Sequence, residues 1–476
     1  MANITHVCLS DMHLGEEDSL LTNLIAGSST VDPKSPSPVL VQLVECLKLV
    51  LKKNDKSTKP TLVLNGDIVE LATSTTSEAA MVFQRFIELV MMPENKLFER
   101  IIFIPGNHDH HLWETSRETQ YVNYIADKKV TDTLNEPWHT TNMFSKTVSS
   151  YFLSNLVRRF PSLEDFTIEI AYPNYAVASE DKSRSVVFSH GHYTESIYHF
   201  MTTLRMELFA GQNKPTKVWD IEKENFAWID FVWSVLGRSG AAGGDVEVVY
   251  EKMYEKAAFK NFLEDVAKTL AKKHDIPYVP KIPFVMKEDE VEAKVLKWAL
   301  DKLLGSFVLE KHKTDKAASE ELLKGLLAYL DGPLHSQFID EGHDSATNDV
   351  TFIFGHTHKP FAQLFQAKNY NGNVKVINSG GWVVESTTPN TLHGGSIVLV
   401  DSNLEAVALR MYNEKNVPEE YTVSLEEAGD GGARPSDFFL EINELLKPNQ
   451  EPWASFSAAA ANAVAVRYKN LKERIY

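Results

Sequence analysis

Five short stretches concentrate side chains that bind metals or move protons. They are S-D-M-H-L-G at 10–15 (Asp11, His13), N-G-D-I-V-E at 65–70 (Asp67, Glu70), G-N-H-D at 106–109 (Asn107, His108, Asp109), S-H-G-H at 189–192 (His190, His192) and G-H-T-H-K-P at 355–360 (His356, His358). Eight of the sixteen histidines lie in the last three stretches and their flanks, with His110, His111 and His199 included. Each motif alone is ordinary. Asp-x-His arises by chance, Gly-Asp is a common turn, and Asn-His can cap a helix. Five in one chain, mixing carboxylate, amide and imidazole donors, point to a metal site. Such donors suit Mn, Fe and Zn, and the two cysteines, Cys8 and Cys46, sit in apolar surroundings and read as core thiols. The donors outnumber what one catalytic metal with open positions can use. They suffice for two metals sharing a carboxylate, and two ions about 3.5–4 Å apart polarise a phosphoryl group and lower the pKa of a shared water.

The elements that must hold these residues follow from periodicity. β-rich runs at 4–10, 61–67 and 100–109 alternate with helical patterns at 38–53 and 77–92. That β-α-β-α-β order predicts strands of one sheet with crossover helices, and functional loops at the carboxyl ends of the strands. Further strands are predicted at 166–178, 185–190, 350–360, 374–381, 395–401 and 405–412. Between them, 193–345 carries helical patterns at 219–236, 245–273, 288–313 and 316–331, which predicts a helical insertion in an α/β core. Trp219, Phe226, Trp228, Phe231 and Trp233 give it either a helical core or an apolar lid. The expected division is 1–192 and 346–420 for the core, 193–345 for the insertion and 421–476 for a helical extension. In that extension Trp453, Phe456, Ala460, Val464, Tyr468, Leu471 and Ile475 form one stripe, suited to docking on the chain's own core or to a homodimer contact.

Composition narrows the class. With 43% hydrophobic and 24% charged residues the chain reads as globular, and 476 residues exceed one ordinary core. A net charge of -17 argues against gripping a nucleic-acid backbone. The N-terminal stretch reads as a strand, not a signal peptide, and no apolar run is long enough to span a bilayer, so a cytoplasmic location is expected.

Asp-x-His, Gly-Asp, Gly-Asn-His-Asp, His-Gly-His and Gly-His-Thr-His, in this order, resemble the calcineurin-like metallophosphoesterases. The resemblance implies a four-layer α/β/β/α sandwich of two mixed sheets with the metal pair at strand ends. It implies that Asp11, His13 and His358 hold one metal, that Asp67 bridges, and that Asn107, His190 and His356 hold the second. His108 would be the non-ligand histidine facing the phosphate, oriented by Glu70 or by Asp109. The substrate would be a phosphomonoester, phosphodiester or pyrophosphate, and the metals two divalent ions, Mn first, with Fe and Zn as alternatives. His110, His111 and His192 have no slot in the pattern.

Within the family the S-D-x-H-L opening, the basic residue and Pro after G-H-T-H, and I-N-S-G-G-W-V-V-E at 377–385 resemble the branch of UDP-2,3-diacylglucosamine hydrolases. The longer insertion, and His192 where that branch commonly carries Asp, are departures from it. Two other classes share the signature. A nuclease of the double-strand-break repair type is opposed by the net acidity. A non-catalytic scaffold is opposed by a ligand set with no member missing.

Overall fold

The structure is a computed structural model that describes residues 2–209, 211, 213–235, 317–429 and 434–475. Two sheets face each other. The first contains β1 (Ile4–Leu9), β2 (Thr61–Asn65), β3 (Arg100–Ile104), β4 (Val148–Ser149), β5 (Glu169–Ile170), β11 (Gly394–Asp401), β12 (Ala406–Asn413) and β13 (Ser424–Glu426), in the order β13-β12-β11-β1-β2-β3-β5-β4. The second contains β6 (Asn174–Ala178), β7 (Arg184–Ser189), β8 (Asp349–Phe354), β9 (Phe361–Phe365) and β10 (Val374–Asn378), in the order β6-β7-β8-β10-β9. β1, β2 and β3 run parallel, as do β7 and β8, so five strands deliver their following loops to the two facing sheets' carboxyl edges.

The strands alternate as buried strands must. Cys8, Val63, Ile102 and Ile104 from the first sheet meet Val186, Phe188, Ile353 and Ile377 from the second in the core between them. The intervening residues, Val7, Leu9, Leu62, Leu64, Ile101 and Phe103, face outward into a second core. Helices α1 (Pro38–Leu51) and α2 (Thr76–Met91) cover that face. Both begin with hydroxyl caps, Ser37 accepting from Leu40 N and Thr75 from Glu78 N, which satisfy first-turn amides.

Four further helices follow in the chain: α3 (His111–Ala126), α4 (Tyr151–Arg158), α5 (Phe200–Leu208) and α6 (Val218–Ile229), the last running into a wider turn over Asp230–Val235. On the second sheet's outer face lie α7 (Glu320–Tyr329) and α8 (His335–Asp340), with Leu326, Leu330 and Phe338 buried and the Tyr329 ring 6.2 Å from Phe352. This completes the four layers. The last part of the stretch 193–345 thus forms an outer layer of the sandwich. The helical patterns at 245–273 and 288–313 lie outside the described residues. Of the aromatic group, Trp233 is buried, Trp228 stacks on Phe200 at 4.2 Å, Trp219 and Phe226 pack on His139, and Phe231 is exposed.

The C-terminal stripe is internal. In α10 (Trp453–Ile475), which follows α9 (Asp437–Leu445), Trp453, Phe456, Ala460 and Val464 are buried and the helix lies against α1. Arg467 pins it by donating to the carbonyls of Ser19 and Thr22 at 2.9 and 2.6 Å. Among the described residues no helix is long and apolar enough to cross a membrane.

Candidate metal centre

Each of the five stretches begins where a parallel strand stops. The loops after β1 and β2 run side by side, with Asp11 N on Gly66 O (2.9 Å), His13 N on Asp67 O (2.9 Å) and Leu14 N on Ile68 O (2.8 Å). Asn65 ties the two sheets together, its Nδ2 donating to Ser189 O at 2.9 Å. The loops cross at very short range. A Cβ on Gly66, whose φ is +86°, would overlap the His190 ring, so only glycine lets that ring stand there.

The backbone itself is strained at the site. Asp11, His13, Asp67, His356 and His358 have φ of 49°, 43°, 50°, 69° and 54°, the left-handed region that L side chains avoid. Five of the seven predicted ligands share this conformation. Such strain costs of order 1–3 kcal/mol per residue and persists where the surroundings impose it, typically at functional sites.

The side chains form two donor groups. Asp11, His13 and His358 converge, as do Asp67, His190 and His356, with potential ligand atoms in each group within 4.8 Å of one another. His358 Nε2 is 3.3 Å from Asp11 Oδ1. His190 Nε2 is 3.1 Å from Asp67 Oδ2, 3.1 Å from Asn107 Oδ1 and 3.2 Å from His356 Nδ1. Asn107 thus joins the second group.

The opposite ring nitrogens are tied down. His13 Nδ1 lies 2.7 Å from Glu70 Oε2, His358 Nδ1 2.8 Å from Glu385 Oε1, His190 Nδ1 3.3 Å from Asn65 O and His356 Nε2 3.4 Å from Glu195 Oε1. This is the arrangement of metal-binding histidines, which give one nitrogen to an outer acceptor and the other to the ion. His13 Nε2 and Asp11 Oδ2 are buried without a hydrogen-bond partner, a costly state that a cation relieves. The residues present therefore fit a pair of divalent metals.

The protein's own field is strongly polarised. Burial opposes the charged form of His190 and His358, yet Asp67 and Glu385 respectively outweigh it and raise each to about 9. Burial likewise opposes the charge on Asp67, and His190 and His108 pull it well below the carboxylate range. A bound cation replaces those protons, because imidazole binds metal in its neutral form.

His108 stands beside this centre, its ring 4.8 Å from that of His13. Its Nδ1 is 2.9 Å from Glu70 Oε2, and its backbone N–H donates to Asp67 Oδ1 at 2.8 Å. Burial disfavours its charge, but Glu70 and Asp67 prevail and its pKa is raised. The partner of His108 is thus Glu70. Asp109 faces the other way and accepts from the amides of Gly106 (2.7 Å), Ile68 (2.8 Å) and Val69 (3.2 Å), fastening the third loop to the second. His110 pairs with Glu222 at 3.0 Å, His111 with Asp230 at 3.1 Å, and His192 with the Tyr172 hydroxyl at 3.2 Å. Sequence reasoning missed Glu385, Glu195 and Asn65, each of which holds a histidine of the site; Glu16, 3.2 Å from His13 Nδ1, had a signal in its three-residue spacing from that histidine.

The family model for calcineurin-like phosphoesterases matches residues 5–360. The chain belongs to this family. The match takes in all five loops of the calcineurin-like centre and stops where the G-H-T-H-K-P stretch ends. A comparison with curated proteins gives no match.

Proposed function

We propose that this calcineurin-like phosphoesterase is a dinuclear, metal-dependent hydrolase of a phosphomonoester, phosphodiester or pyrophosphate. The observation that carries the reading is the pair of donor groups whose histidines each turn one nitrogen inward, with His108 at their edge. Asp11, His13 and His358 would hold one ion, Asn107, His190 and His356 the other, and Asp67 would serve both. Bound there, Mn, Fe or Zn would supply charge to polarise the phosphoryl oxygens and to lower the pKa of a nucleophilic water.

The chain's own groups supply the rest. Glu70 fixes the His108 ring through Nδ1, which leaves Nε2 to face the substrate. The Glu70 and Asp67 carboxylates favour the protonated ring, placed to stabilise the phosphoryl charge and to donate a proton to the leaving oxygen. Asp109 holds the loop that carries His108, by hydrogen bonds to backbone amides. The scaffold alternative is disfavoured because every donor of the signature is in place, and the net charge of -17 disfavours the nuclease.

The test is hydrolysis of a nitrophenyl monoester and a bis-nitrophenyl diester by metal-free protein refilled with Mn. Mn-dependent turnover of either ester is expected, and it should be absent from Asp67→Asn. His108→Ala should cut turnover of esters with poor leaving groups by about 10²–10⁴-fold. Inertness with Mn, Fe and Zn on both esters, or an Asp67→Asn variant as active as the native chain, overturns the reading.

A further inference from the structure

The acid His108 is gripped from three directions. Its N–H is held by Asp67 and its ring by Glu70, both within the five stretches. Its carbonyl accepts a hydrogen bond of 2.9 Å from Ser234 Oγ, 126 positions away at the end of the segment 218–235. Ser234 Oγ in turn accepts from His111 N at 3.1 Å, the amide that opens α3. First-turn amides have no partner in their own helix, and His110 at the N-cap offers no side-chain cap. Ser234 therefore caps α3 from outside while fixing the residue that precedes it by three.

The segment makes two further contacts on the same loop and lies one ring away from His356 on another. Asp230 pairs with His111 Nδ1 at 3.1 Å. Glu222 pairs with His110 Nε2 at 3.0 Å, and its second oxygen accepts from the Tyr172 hydroxyl at 3.2 Å. The Trp233 ring is 5.4 Å from Tyr198, which stands 5.2 Å from the ring of His356. Ser234 is fully buried, so water does not take its place when it is removed.

We propose that Ser234 and Asp230 are positioning residues for phosphoester hydrolysis, and that segment 218–235 sets the place of the His108 imidazole against the leaving oxygen. The proposal rests on the phosphoesterase reading. It makes this part of the insertion a component of proton transfer, beyond the role of a cover. Proton donation depends on sub-ångström placement, and a shift of about 1 Å costs on the order of 10²-fold in rate. Metal binding does not pass through Ser234, because its two partners are the His108 carbonyl and the His111 amide.

The experiment uses Mn-loaded full-length Ser234→Ala, Ser234→Thr and Asp230→Asn, assayed on a nitrophenyl ester and on an alkyl ester with a poor leaving group. Ser234→Ala should lower kcat on the alkyl ester by about 10- to 100-fold, with KM, metal content and nitrophenyl turnover little changed. Asp230→Asn should act in the same direction, and Ser234→Thr should recover most of the loss. Placed in a His108→Ala background, Ser234→Ala should cost almost nothing more, because the group it positions is gone. Equal losses on both esters, an undiminished loss in that background, or a lost metal refutes the positioning role. Should the native chain turn over no ester at all, the phosphoesterase reading falls instead. The His108 ring signals in an NMR spectrum then decide the proposal: Ser234→Ala must move them, and unmoved signals refute it.

Discussion

Exchanging Glu70 for glutamine removes one buried negative charge at the junction of two histidines and keeps the side chain's shape. Glu70 is fully buried, with Oε2 at 2.7 Å from His13 Nδ1 and 2.9 Å from His108 Nδ1, while Oε1 accepts from the amides of Ala72 and Thr73 at 2.6 and 2.9 Å. The glutamine carbonyl can stay on those two amides. Its NH2 then meets two imidazole nitrogens that no longer both keep a proton there. A hydrogen bond to a charged group contributes about 1.5–3 kcal/mol. At about 1.4 kcal/mol per decade, losing it from the acid step slows that step by about 10- to 150-fold. The His13 arm has a separate effect, an affinity for the first metal weaker by about 10- to 100-fold. Saturating Mn removes the second deficit and leaves the first. The assay is therefore kcat against Mn concentration on a nitrophenyl and an alkyl phosphoester. At saturation Glu70→Gln should approach native rates on the nitrophenyl ester and stay slow on the alkyl ester. Native turnover of the alkyl ester at native Mn requirement refutes the dual role of this carboxylate.

Gly66→Ala should drive a Cβ into His190 at a backbone φ that disfavours alanine, at a strain of about 1–3 kcal/mol plus the clash; metal analysis should give less than the native content, and an unchanged content would sink the argument. Glu414 is fully buried, and burial pushes it up to about 7 from the usual 4.5 despite hydrogen bonds from Tyr468 and the Asn390 amide. A carboxyl raised in the folded state stabilises while protonated, so its contribution is full below the unfolded pKa and is lost as pH rises through 7. Glu414→Gln should therefore raise Tm at pH 8 and flatten the decline in stability between about pH 4.5 and 7, by at most about 3 kcal/mol; an unchanged pH profile of Tm refutes it. Chelation should lower Tm, and Mn at a hundredfold its Kd should restore about 2.7 kcal/mol; a native chain whose melting ignores Mn, or an Asp67→Asn chain that responds as fully, contradicts the assignment.

What the sequence made legible was contiguous. Asp11 and His13, or Asn107 and His108, announce themselves because ligand and neighbour share one loop after one apolar strand. Glu385 and Glu195 could not be found this way, since each is defined by the imidazole it touches across the fold. Asp109 shows the opposite failure: its residue type suggests proton chemistry, and its geometry spends it on backbone amides. Helix α3 escaped notice because its buried residues, Leu112, Trp113, Glu114, Ser116 and Arg117, crowd its first turns and leave no stripe of regular period. Strand β4 has two residues, too few for alternation to register. Helices α7 and α8 were legible as helices. That they form an outer layer depends on a sheet face which periodicity along one chain does not encode.

Asp11 and His356 touch, the His356 amide donating to Asp11 Oδ1 at 2.8 Å, yet they are 345 positions apart in the chain. Ribosomes add about 5–20 residues per second, so roughly 20–70 s pass between synthesis of the first donor and arrival of the last. During that interval β1, β2 and β3 can pair, and Asp67 and Asn107 are already exposed, but neither donor group is complete. A nascent chain in a metal-rich cell thus presents partial sites that any available ion can sample. Neither donor group can be complete before β8 and the loop after it have been made, so tight binding of a metal pair would have to wait for that strand to join β7 in the second sheet.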